Sequence, residues 1–74
     1  MLLPKTNSFI TKNVTSPNNE EIVNTVKGFL NKHANIIKIY VSLKVYENLH
    51  LHEVSGIPVC PGSGMSDKEI TFVS

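Results

Sequence analysis

Arginine, glutamine and tryptophan are absent from this chain of 74 residues, and cysteine occurs once, at Cys60. Without arginine there is no guanidinium fork, the side chain that most often reads guanine edges and grips phosphate at two points. Sequence-specific nucleic-acid binding is therefore not expected. A single cysteine cannot close an internal disulfide, which excludes the crosslinked framework of small extracellular domains and points to a reducing, cytoplasmic setting. No apolar run approaches the roughly 18 residues that would span a bilayer. Met1-Leu2-Leu3-Pro4-Lys5 places a proline after only two leucines, far short of the roughly 7 to 15 apolar residues at the heart of a signal peptide. No membrane partner is expected. Runs of one charge are missing too: lysines and carboxylates are scattered to a formal net charge of +1, so no long-range field draws in a polyanion.

What remains is the material of an ordinary folded domain. Hydrophobic residues make up 41% of the chain and charged residues 18%, a balance that favours folding over disorder. A chain this short buries only roughly 60% of the surface its unfolded form exposes, so one domain over residues 1–74 is expected, with thin stability and residues 1–7 loosely ordered. The abundance of Asn, Lys and Ile resembles the product of an AT-rich genome and would suit an accessory protein of a phage or mobile element. Asn13-Val14-Thr15 matches a glycosylation sequon, but without a secretion signal it carries little weight.

Ser16-Pro17-Asn18-Asn19-Glu20-Glu21 reads as a helix start. Ser16 or Asn18 can cap free amides, Pro17 suits the first turn, and Asn18 with Glu21 forms a capping box. Ile22, Val26, Phe29 and Leu30 then recur at helical spacing, flanked by Val23, with Asn24, Lys27 and Asn31 opposite. Glu20 and Glu21 suit the positive start of the helix dipole and Lys32 and His33 its negative end, while Asn35 can take a left-handed cap. These signals predict a helix over about 18–33.

From Ile37 the period becomes two. Ile37, Ile39, Val41, Leu43 and Val45 alternate with Lys38, Tyr40, Ser42, Lys44 and Tyr46, as in a half-buried strand. Odd parity continues through Leu49 and Leu51, and one strand over that span would run about 60 Å at about 3.3 Å per residue, too long for so small a domain. A three-residue reversal at Tyr46-Glu47-Asn48 keeps the odd residues inward. It pairs Val45 with Leu49 and Leu43 with Leu51 on the core side, and Lys44 with His50 and Ser42 with His52 on the other. Gly56, Pro58, Pro61, Gly62, Ser63 and Gly64 mark a loop, Ile70–Val73 a last strand, and Phe9–Val14 a first one. The expected fold is a small α+β two-layer sandwich, one helix on a mixed three- to four-stranded sheet, in the order β-α-β-β-β.

On this register Tyr40, Ser42, Lys44, Tyr46, His50 and His52 line an open sheet face, and aromatics with one polar end favour protein contacts. The expected role is a non-enzymatic interaction or regulatory module, without cofactor, docking an unknown protein through that face or an edge strand, with a homodimer as one form. The alternative is a zinc protein using His50, His52 and Cys60, with Asp67, Glu53 or His33 as a further ligand, although the spacing matches no structural zinc pattern. Cys60 as a thiolate nucleophile would need a base, an orienting group and a shielded cleft, and a small half-buried hydrophobe is the simpler reading. Gly62-Ser63-Gly64 lacks the Lys that a phosphate loop needs at its end.

Overall fold

A computed structural model of the chain describes residues 8–16 and 18–74. The loosely ordered segment expected at 1–7 and the first-turn role expected of Pro17 lie outside the described residues.

Among the described residues five strands and two helices follow one another as β1 (Phe9–Asn13), α1 (Asn19–Lys32), β2 (Lys38–Ser42), α2 (Leu43–Leu49), β3 (Glu53–Val54), β4 (Ile57–Gly62) and β5 (Glu69–Val73). The strands form a single sheet in the order β1-β5-β2-β4-β3. β5 runs antiparallel to both β1 and β2, β2 runs parallel to β4, and β3 closes the far edge antiparallel to β4. The α+β two-layer architecture is as expected, with two elements more than the anticipated order: α2 replaces the reversal, and β4 forms where a loop was expected.

α1 forms where the apolar stripe and caps place it. The Asn18 side chain accepts from the Glu21 amide at 2.8 Å, the first half of the capping box. The second half reaches further: the Glu21 carboxylate accepts from the amides of Thr15 and Ser16, both at 3.1 Å, and so ties the incoming chain to the helix. At the other end His33, not a left-handed Asn35, is the cap, in extended conformation with its amide bonded to the Phe29 carbonyl. Ile22, Val26 and Phe29 are buried, and the Phe29 ring stacks on Phe72 of β5 with centroids 4.0 Å apart.

That stack identifies the covered face of the sheet. Ile39 and Val41 of β2, Val59 of β4, and Ile70 and Phe72 of β5 are all buried, and strand register aligns them in rows beneath the helices. α2 adds Val45 and Leu49 to the same core, and the Asn19 side chain donates to the Asn48 carbonyl at 2.9 Å, fastening one helix to the other. Both helices therefore lie on one side.

The three-residue reversal at Tyr46–Asn48 is not present. β2 ends at Ser42, which caps α2: its hydroxyl accepts from the Val45 amide at 3.1 Å and donates to the Asp67 carboxylate at 2.8 Å. The pairings of Val45 with Leu49, Leu43 with Leu51, Lys44 with His50 and Ser42 with His52 fall with it. Val45 and Leu49 are buried one helical turn apart, while Leu43 is 56% and Leu51 36% exposed. His50 ends α2 in the left-handed conformation.

The stretch from Gly56 to Gly62, expected as loop, is mostly strand. Ser55 and Gly56 both carry positive φ, as a two-residue hairpin turn requires, and Val54 pairs with Ile57 across it. Two prolines are tolerated in β4 by position. Pro58 precedes the ladder with β2, which begins at Val59. The Val59 amide points away from β2, to the His52 carbonyl, so Pro61, two residues on, has its nitrogen on that same outer side beyond the end of β3.

Candidate functional site

The face of the sheet away from the helices carries the residues of opposite parity. Register lays them in rows: Phe9, Val73 and Lys38 in one; Thr11, Thr71, Tyr40 and Cys60 in the next; Asn13 and Glu69 in a third beside Ser42 and Gly62. No described helix covers them. Thr11 and Thr71 share a hydroxyl hydrogen bond of 3.0 Å, the Lys38 ammonium lies 5.7 Å from the Tyr40 ring centroid, and Phe9 is 65% exposed. Met65 folds over Gly62: a Cβ there would stand 2.5 Å from its sulfur and 3.5 Å from the Tyr40 Cβ. The first glycine of the Gly62-Ser63-Gly64 segment thus makes room for a methionine beside Tyr40.

Of the six residues expected to share this face, only Tyr40 and Ser42 are strand residues on it. Tyr40 is half-buried there, and Ser42 is buried and occupied as the α2 cap. Lys44 and Tyr46 lie on α2, and His50 is its left-handed cap. His52 precedes β3, where its Nδ1 meets the Tyr46 hydroxyl at 3.1 Å. The helix turns these four away from the row that alternation had given them. The two histidines accordingly do not project side by side from a strand. Among the described residues no group of three His, Cys, Asp or Glu side chains is placed to hold an ion, so His50, His52 and Cys60 are not brought together as a ligand set. Cys60 is half-buried opposite Tyr40 on the open face.

Residues that the expected face left out are Phe9, Thr11 and Thr71, while Lys38, in phase with Tyr40 by alternation, does lie on it. The signal was available in Phe9–Asn13, but which strand it would join was not.

The outer edge of β1 completes the surface. Ser8 and Ser74 exchange both backbone hydrogen bonds, at 3.1 and 3.0 Å, and the Val14 amide donates to the Lys68 carbonyl at 2.8 Å. In an antiparallel ladder, bonding direction alternates. Ser8, Ile10, Lys12 and Val14 therefore point their backbone groups at β5, and Phe9, Thr11 and Asn13 point theirs outward, where no described strand meets them. Edge strands are commonly guarded by proline, a bulge or an outstretched lysine. β1 has an unbroken five-residue register without proline, and the ammonium of its one lysine, Lys12, is drawn to 5.7 Å from the Phe29 ring centroid, over the helix side. No described helix is long and apolar enough to cross a membrane. Compared with protein-family models, with curated proteins and with solved structures, the chain matches none.

Proposed function

We propose that this chain is a small non-enzymatic interaction module that docks a protein through the β1 edge and the adjoining sheet face, which no described helix covers. The observation that carries the reading is the row of outward backbone groups on Phe9, Thr11 and Asn13, bordered by an exposed phenylalanine. Unpaired strand edges are templates for an added strand: main-chain bonds supply affinity, and alternate side chains supply selectivity. Here the side chains beside the edge would be Phe9, Thr11 and Thr71, with Tyr40 and Lys38 deeper on the face. The free thiol of Cys60 fits a reducing compartment.

Capture from native lysate tests this reading when it is read by loss. A specific partner should be retained by Lys44→Glu, which alters α2, and lost on Tyr40→Ala combined with Lys38→Glu, provided both variants melt as the wild type does. A partner held equally by all three proteins would place the contact elsewhere.

A further inference from the structure

We infer that the strand added at the β1 edge is β1 of a second copy, joined antiparallel about a two-fold axis at Thr11. The inference rests on the docking reading above and names its partner.

Self-pairing succeeds only if the outward groups of one copy meet outward groups of the other. Centring the axis on Thr11 sets Thr11 against Thr11, and Phe9 against Asn13 in both directions. All three outward-bonding residues then face outward-bonding residues, and each such pair exchanges two backbone bonds. The axis stands perpendicular to the sheet, so the two faces away from the helices lie on the same side and the helices of both copies on the other. The result is one continuous sheet of ten strands, five from each copy.

Side chains agree with the backbone. On the side away from the helices, the Thr11–Thr71 hydrogen bond of each copy would align into a row of four threonines. Every hydroxyl in that row can both donate and accept, which makes it complementary to itself. On the helix side, Ile10 would stand opposite Lys12 of the other copy. The two lysines are thus offset along the seam instead of facing one another, and like charges directly opposite are the arrangement that destabilises a strand pair. The chain's small net charge of +1 adds little repulsion between copies.

The ladder direction also supplies a selective variant. Thr11→Pro removes an outward amide that β5 does not use, whereas Ile10→Pro removes one that bonds β5 and serves as the unfolding control. Sedimentation of the purified full chain from micromolar to millimolar concentration should show a monomer–dimer equilibrium whose dissociation constant rises roughly 30-fold or more in Thr11→Pro, from loss of the central pair of bonds. Amide exchange by NMR gives the reading if that variant does not fold. In the wild type, Phe9, Thr11 and Asn13 should gain protection with concentration while Ile10 and Lys12 are protected throughout. A strict monomer over the whole range overturns the second copy; if capture is still lost in the Tyr40 and Lys38 variant, the docking reading survives it. A dimer indifferent to Thr11→Pro, with Phe9, Thr11 and Asn13 amides exchanging freely, overturns the edge contact.

Discussion

Residues 37–46 carry one continuous alternation of apolar and polar side chains, yet the chain is the central strand β2 as far as Ser42 and the helix α2 from Leu43 to Leu49. The reason is arithmetical. Positions four apart share a face in a strand of period two and nearly share one in a helix of period 3.6. Val41, Val45 and Leu49 are buried under either geometry, so they cannot tell the two apart. What separates the segments is the chemistry at their junction. Ser42 can accept from the amide three residues on, and its hydroxyl is also held by Asp67, which arrives from the loop before β5. The positions between also speak for a helix: a strand would bury Leu43 and want an apolar residue at Glu47, and both are exposed.

Three substitutions sharpen that contrast, beginning with the largest effect. Leu49→Ala should destabilise by about 2 to 5 kcal/mol, as for a buried leucine whose cavity collapses only in part. In a domain this small each kcal/mol is worth about 4 to 8 °C in melting temperature, so calorimetry would show most of the folded state lost at moderate temperature. Ser42→Ala should cost about 1 to 2 kcal/mol by removing the α2 cap and the partner of Asp67, with a loss of helical circular dichroism confined to a few residues. Leu43→Ala should change stability by no more than about 0.5 kcal/mol, because the side chain stands in water. An outcome in which Leu43→Ala costs as much as Leu49→Ala would restore the hairpin and remove the helix.

The larger part of the fold was legible where local signals had no rival. Asn18, the acidic first turn and the stripe Ile22, Val26, Phe29 agree on α1 and on nothing else. Ile70 to Val73 read as a strand, but nothing local told that β5 would sit between β1 and β2, since register is decided by the whole sheet. The β3–β4 turn was written in Ser55-Gly56 and was obscured by Pro58 and Pro61, whose tolerance depends on which side of β4 their nitrogens face. The face away from the helices was legible in kind and not in membership. Tyr40 lies on it, but Lys44, Tyr46, His50 and His52 left it when the chain turned helical at Ser42. Thr11, Thr71 and Phe9 could not be found from the sequence, because they are brought there by pairing between segments some sixty residues apart.

That pairing bears on how the molecule comes into being. Of the five described strands β5 is made after the other four and yet is an interior one, the seam between β1 and the trio β2, β4 and β3. Until it emerges β1 has no partner among the described strands, and sheet closure must wait for a contact some sixty residues apart in sequence, the kind that slows folding most. A chain cut before Glu69 would lose an interior strand instead of a fringe, leaving β1 without its described partner and the Phe29 ring without its stacking partner Phe72.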